Sequence, residues 1–249
     1  MTAWRQLLRR WRLPSLSCLL CHQASAEPLC RWCRADSQLF SDTPGDINLL
    51  RRPLVARQVR HARLEALYAL GWYEWPFIPL IHSMKFRHKP AIARLLGHWF
   101  ADSMLSRRNC PLPDVLLPVP LYAGRYLSRQ YNQAREIACA INEKTRVPVI
   151  ADWAWRTRGR PQHSLNRHQR LSATRAVYSL NPAYDRRFFD CCGRHVAIID
   201  DVMTTGITAD VLAGLLRQTY KHIRIEVWVM AITPAKRPYM PGDQTDLPA

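Results

Sequence analysis

Acidic residues are scarce in this chain: 19 aspartates and glutamates face 36 lysines and arginines across 249 residues, a formal charge of +17. Arginine supplies nearly all of the positive charge. The deficit is sharpest between Arg156 and Arg175, where six arginines occur without one carboxylate. Such a field attracts polyanions and speeds their encounter, so nucleic acid, phosphorylated metabolites or an acidic protein are the natural partners. Also missing is any run of 18 apolar residues, so no membrane span is predicted. The N-terminus carries Arg5, Arg9, Arg10 and Arg12 and then only a short apolar stretch, without the apolar segment and small-residue cleavage site of a signal peptide. A cytoplasmic location is therefore expected. No internal repeat occurs. An apolar content of 48% is that of an ordinary globular protein, and the length suits one α/β domain with a small appendage.

Cysteines are few but clustered. Cys18-Leu-Leu-Cys21 and Cys30-Arg-Trp-Cys33 form two Cys-x-x-Cys pairs separated by eight residues. Each pair can present two thiolates from a tight knuckle, and two knuckles complete a tetrahedral site for structural zinc. The spacer is shorter than the roughly 15–20 residues of the usual ribbon pattern, so the unit must be compact. Free or redox-active thiols are the alternative, and His22 or His61 is a substitute ligand. Residues 1–60 hold too few aliphatic side chains for a core of their own, so bound metal would supply folding energy. The stretch from Ser41 to Arg60, with Thr43-Pro-Gly-Asp46, reads as a linker. Cys110, Cys139, Cys191 and Cys192 show no metal spacing.

The most informative stretch is Val196-Ala-Ile-Ile-Asp-Asp-Val-Met-Thr-Thr-Gly-Ile-Thr208. Four apolar residues predict a buried strand, and Ala209 to Thr219 predicts a helix with Val211, Leu212, Leu215 and Leu216 on one face. The turn between them holds two carboxylates, three threonines and a glycine. Backbone N–H groups at a helix start, joined by short hydroxyls, suit a phosphate. Adjacent carboxylates at a strand end suit a sugar diol, or a magnesium ion among its waters. A plain βα turn capped by Asp201 or Thr204 needs only one or two of these residues.

Elsewhere, the spacing predicts a strand over Leu67–Tyr73 and helices from Trp75 to Phe86 and from Pro90 onward. Lys85, Arg87 and Lys89 end the first of these helices as a cluster that either closes over an anion or faces solvent. Asp114 to Pro120 reads as a strand running into a loop stiffened by Pro118 and Pro120. A helix through Ala134, Ile137, Ala138 and Ile141 follows. Val147 to Ala151 and Arg224 to Ile232 read as further strands, and the residues after Pro234 as a loose tail. Strand and helix alternation adds up to a mostly parallel α/β sheet, on which ligands bind beyond the strand ends.

The Asp200-Asp201 turn resembles the PRPP (phosphoribosyl pyrophosphate) motif of type I phosphoribosyltransferases. That resemblance implies 5-phosphoribosyl binding, with Asp200 and Asp201 at the ribose hydroxyls as the catalytic candidates. Thr204, Thr205, Gly206 and Thr208 would surround the 5′-phosphate, with Val202, Met203 and Ile207 completing the turn. Pro118-Val119-Pro120-Leu121 and Arg129-Gln130-Tyr131-Asn132-Gln133-Ala134 are similar to the Pro-Val-Pro-Leu and Arg-Gly-Phe-Asn-Gln-Ala signatures of the ComF family. These are phosphoribosyltransferase-like proteins, including those called GntX, associated with competence and the use of DNA. Glutamine stands at 130 where the signature has glycine, the residue that best tolerates positive φ.

By position the Pro118–Leu121 loop would meet pyrophosphate, with Lys85 and Arg129 as further contacts. Arg156, Thr157, Gln162, Leu165 and Arg170 match a family pattern in a mobile loop; a solvated loop or a nucleic-acid contact remain as alternatives for that stretch. Many relatives carry further cysteine pairs, but none occurs here between Arg34 and Arg108. The resemblance thus implies a type I phosphoribosyltransferase-like domain over residues 61–235, behind an N-terminal knuckle and linker (1–60) and before a tail (236–249). It implies structural zinc, and PRPP with magnesium. DNA uptake or utilisation is the implied role, with single-stranded DNA and DNA-uptake proteins as partners. A nucleotide-salvage transferase and an inactive nucleic-acid-binding adaptor are the alternatives; no residue marks a purine or pyrimidine pocket.

Overall fold

The apolar run at Val196–Ile199 lies at the centre of a parallel sheet in a computed structural model that describes residues 17–59, 63–122, 129–157, 177–183 and 194–234, with Gly124 and Tyr126. The strands are β1 (Ala66–Trp72), β2 (Val115–Pro118), β3 (Ala154–Arg156), β4 (Tyr178–Leu180), β5 (His195–Met203) and β6 (Arg224–Ile232). Four of them form one sheet in the order β1-β6-β5-β2, with every pairing parallel. Strands covered on both faces need apolar residues at successive positions rather than at alternate ones. Val227 to Ile232 are accordingly all apolar and buried. The strand expected at Val147–Ala151 is reduced to one parallel bridge between Val149 and Leu116, beside β2. β3 and β4 make a separate antiparallel pair.

The helices among the described residues are α1 (Arg31–Ala35), α2 (Pro53–Gln58), α3 (Phe77–Phe86), α4 (Pro90–Ser103), α5 (Gln133–Thr145) and α6 (Ile207–Thr219). Side-chain alternation separates them onto two faces. Trp228, opposite Ile199 in register, stacks on Phe100 of α4 with ring centroids 5.4 Å apart. Val227, opposite Ile198, turns the other way and shares a small pocket with Ile207 and Ala209 of α6. α5 packs beside α4 so closely that a Cβ on Gly97 would lie 2.6 Å from the Ile137 carbonyl oxygen. None of these helices is long and apolar enough to cross a membrane.

The stretch read as a linker is part of the fold. A 3-10 turn at Leu49–Arg51 and α2 bring Leu49, Val55 and Val59 into the main core, along with Leu29, Leu39 and Phe40. Asn48 joins this segment to β1. Its side-chain oxygen accepts from the N–H groups of Leu50 and Leu67, both at 3.1 Å, while its amide donates to the Glu65 carbonyl. The Phe40 N–H donates to the Leu70 carbonyl at 2.7 Å, covering part of the β1 edge. Scattered apolar residues hid this packing, because each serves a different neighbour rather than one periodic face.

Gln130 takes φ +61°, so the turn keeps a left-handed residue even without glycine. That conformation costs a side-chain-bearing residue about 1–2 kcal/mol, partly offset by the lower unfolded-state entropy relative to glycine, worth roughly 0.4–1 kcal/mol. Gln130→Gly should therefore raise stability by about 0.5 kcal/mol in urea denaturation; a clear loss would mean that the Gln130 side chain stabilises the turn.

At the other end of the sheet lies a buried ion pair. Arg108 meets Glu226 through two hydrogen bonds of 2.7 and 2.8 Å, and both side chains are almost fully excluded from solvent. His195 Nε2 lies 2.8 Å from the same carboxylate and Trp228 Nε1 donates to it at 3.1 Å, while the guanidinium sits 5.0 Å above the Tyr68 ring. Burial opposes ionisation of Glu226, but hydrogen bonds from His195 and Arg108 outweigh it and hold its pKa at about 2. The stabilisation is present above the usual 4.5 and is lost as pH falls toward 2. Glu226→Gln should cost about 3–5 kcal/mol at pH 7, because Arg108 is left buried without its counter-charge. It should also flatten the acid side of the stability curve between pH 4.5 and 2. Equal acid sensitivity of the variant and the parent would assign that slope to other carboxylates.

Candidate functional site

β5 remains apolar until Ile199 and then delivers two carboxylates at its C-terminal end. Successive residues of a strand point to opposite faces, so Asp200 and Asp201 diverge. Asp201 turns toward α3, whose buried Phe77, Leu80, Ile81 and Met84 fix the rotation that leaves Lys85 in the last turn. Lys85 Nζ lies 2.9 Å from Asp201 Oδ2. Asp200 Oδ1 accepts the Asp201 N–H at 2.8 Å. Burial, then the charge of Asp201, push the Asp200 carboxyl up to about 7, against the Asp201 N–H and the charges of Lys85 and Arg156. A carboxyl group poised there can donate to or accept from a hydroxyl near neutral pH.

The loop after β2 forms the facing wall. The Val119 N–H continues the sheet onto the Ile199 carbonyl at 2.9 Å, and Asn132 Nδ2 donates to the Val119 carbonyl at 3.0 Å. Asn132 also caps α5, accepting from the N–H groups of Ala134 and Arg135. One side chain thus ties the proline loop to a helix start. Arg129 Nη1 donates to Gln133 Oε1 at 3.2 Å. Trp153 Nε1 donates to the Pro118 carbonyl at 2.8 Å, anchoring the approach to β3, and Arg156 from β3 lies 5.3 Å above the Tyr178 ring.

These groups surround a cleft of about 230 Å³. Lys85, Val119, Pro120, Leu121, Arg129, Arg156, Asp200, Asp201 and Thr208 all line it. A smaller pocket of about 70 Å³ shares Val119, Asp200 and Thr208 with the cleft and is otherwise walled largely by Val202, Met203, Thr204, Thr205, Gly206 and Ile207. Pro118 ends β2 behind this wall and does not line either space. Gly206 takes φ +72° as the N-cap of α6, and no side chain caps the helix. Neither Asp201 nor Thr204 therefore has the capping role, and the helix start keeps its N–H groups for another acceptor.

In the sequence Asn132 and Gln133 stand as polar groups at a helix start on the ligand-binding edge of the sheet, and nothing there marks Tyr178 or Gln58. Gln58, at the end of α2, donates from Nε2 to the Thr204 carbonyl at 3.2 Å and also to the Thr233 carbonyl. No local pattern marks it, since its partners lie 146 and 175 residues away. Residues 158–175, with Gln162, Leu165 and Arg170, lie outside the described residues, as do His61, Cys191, Cys192 and the tail.

A second centre lies at the N-terminal end. The sulfur atoms of Cys18, Cys21, Cys30 and Cys33 all fall within 4.8 Å of one another, with Cys21 and Cys30 3.7 Å apart. Four sulfurs about 2.3 Å from one ion stand about 3.8 Å from each other, so the set fits a tetrahedral soft metal such as zinc. The N–H groups of Cys30 and Cys33 point at Cys18 and Cys30 sulfur, at 3.3 and 3.4 Å. Burial works against the Cys18 thiolate, but N–H donors from Cys30, Cys21 and Leu20 outweigh it and lower the pKa to about 6. His22 does not join the cluster.

No protein-family profile matches the chain. The DNA utilization protein YhgH of Salmonella typhi is 30% identical over 177 residues, covering 68% of this chain and 73% of that protein. The Escherichia coli protein of the same name is 28% identical over 173 residues with the same coverage. Competence protein F of Haemophilus influenzae is 28% identical over 214 residues, or 84% of this chain and 86% of that protein. With the proline loop, the Asn-Gln-Ala helix start and the Asp-Asp turn gathered at one sheet edge, these likenesses mean that the chain belongs to the ComF family.

Proposed function

We propose that this protein binds a phosphoribosyl ligand such as PRPP at the end of β5, in a role in competence or in the use of DNA as nutrient. One observation carries this. Two carboxylates share one cleft with Lys85, Arg129 and Arg156, and an uncapped, threonine-rich helix start walls the smaller pocket that adjoins it at Val119, Asp200 and Thr208. Carboxylates suit the ribose diol, the helix start suits the 5′-phosphate, and the three cations suit pyrophosphate. Asp200 and Asp201 are hard oxygen donors of the kind that magnesium takes alongside water, and the ion would neutralise pyrophosphate charge when bound. As a transferase, the same cleft would use Lys85, Arg129 and Arg156 to stabilise pyrophosphate leaving C1. Binding and turnover are separate properties of the site.

The four cysteines would hold structural zinc and bring the metal's binding energy to the N-terminal segment. Reducing cytoplasm is the compartment in which they would remain thiolates. The knuckle segment would run to residue 60 and the ligand-binding domain from 61 to 235. Single-stranded DNA and DNA-uptake proteins are the partners that fit the charge of +17.

Calorimetric titration with PRPP and magnesium should give saturable binding, lost by at least about a hundredfold in the Asp200→Ala, Asp201→Ala double variant, because several charge-assisted hydrogen bonds go together. A folded wild-type protein that binds no PRPP would sink the proposal. For the second centre, metal analysis of purified protein should return about one zinc per chain. Cys30→Ser should lose it and lower the melting temperature. Metal-free protein with an unchanged melting profile would refute structural zinc.

A further inference from the structure

We propose that Gln58 is a positioning residue for the phosphate-binding turn, a role that rests on the phosphoribosyl reading of the Asp200–Thr208 segment. Gln58 Nε2 donates to the carbonyl oxygens of Thr204 and Thr233, using both amide hydrogens. The ends of β5 and β6 meet at the same place, where the Thr233 N–H donates to the Met203 carbonyl at 2.9 Å. One side chain from α2 therefore grips the first peptide of the turn and fixes it to the neighbouring strand.

The consequence follows from peptide geometry. In a planar trans peptide the C=O and the next N–H point to opposite sides. Gln58 draws the Thr204 carbonyl toward α2 and the end of β6, while Gln58 itself does not line the pocket that Thr204 helps to wall. The Thr205 N–H belongs to the same peptide plane, so the bond that fixes the Thr204 carbonyl also fixes that N–H, beside the pocket walled by Thr204, Thr205, Gly206 and Ile207. A free Thr204 carbonyl could swing inward and present a lone pair to an incoming phosphate, which would repel it. Gln58 removes that conformer while touching neither cleft nor ligand.

The segment that carries Gln58 lies between the cysteine centre and β1, outside the run of residues that forms the sheet. Its α2 is held by Val55 and Val59 in the main core, with a Pro53 start. The side chain is thus presented from a packed helix rather than from a loose connection, which is what orienting a turn requires.

Two small probes separate this role from general stability. Ribose 5-phosphate reports on the turn; inorganic pyrophosphate reports on the Lys85, Arg129 and Arg156 side. Gln58→Ala should weaken ribose 5-phosphate binding about three- to tenfold, the worth of one neutral hydrogen bond, and leave pyrophosphate binding unchanged. Gln58→Glu, whose carboxylate repels both carbonyls, should be worse than alanine, and Gln58→Lys, which keeps a donor of similar reach, should recover part of the affinity. Amide hydrogen exchange at Thr205 in unliganded protein should quicken in the alanine variant. If wild-type and Gln58→Ala proteins bind ribose 5-phosphate equally, or if Gln58→Ala loses both probes alike, the positioning role is overturned while the phosphoribosyl site stands. If the wild-type protein binds neither probe, the site and the role fall together.

Discussion

Burial of β5 on both faces is the constraint from which the rest of this structure follows. A parallel strand between two helical layers carries charge only where a partner meets it, and Val196 to Ile199 are apolar and fully excluded from solvent. Its first polar side chains after that run must therefore appear at the C-terminal end, and they do so as a pair. Because the strand alternates, Asp201 reaches the layer of α3 and Lys85, while Asp200 stays on the side of α6 and the threonine turn. The divergence of two neighbours in sequence lets one short segment face the threonine turn and a lysine together.

Charge is handled differently at the two ends of the sheet. At the N-terminal end, Glu226 is wholly buried but receives Arg108, His195 and Trp228, so it stays ionised and structural. At the C-terminal end, desolvation and then the like charge of Asp201 raise the pKa of Asp200 instead. Opposite company gives one wholly buried carboxylate that holds the sheet and one half-buried carboxyl raised toward neutrality. Surplus cations then gather around the second, and Lys85, Arg129 and Arg156 leave the cleft with more positive than negative side chains. An anion with hydroxyl groups satisfies both halves of that set, and a bare cation does not.

What could be read in the sequence was what is local. The apolar run of β5, the following helix, the proline-stiffened end of β2 and the two cysteine pairs each declare themselves within a dozen or so residues, because periodicity and ligand spacing are short-range signals. Long-range choices were invisible. Arg108 and Glu226 lie 118 residues apart, and nothing beside either one names its partner. The α3 terminus displayed Lys85, Arg87 and Lys89 as one basic cluster, and only tertiary packing singles out Lys85 for Asp201. Gln130 shows the same limit from the other side: the left-handed turn persists without glycine because Asn132 and Tyr131 tie down the chain just beyond it, Tyr131 through its hydroxyl to the Met84 carbonyl.

The packed segment between the cysteine cluster and β1 joins the two centres. The four cysteines at residues 18–33 and the Asp-Asp turn at 200–208 lie far apart in sequence, yet the chain between the cysteines and β1 packs Leu39, Phe40, Leu49, Val55 and Val59 into the same core as the sheet. Phe40 bonds to the edge of β1, Asn48 bonds to its start, and Gln58 ends the path on the turn itself. A metal that stiffens the first knuckle thus stiffens the start of a continuous packed route. Each step of that route is a hydrogen bond or a buried side chain rather than a hinge.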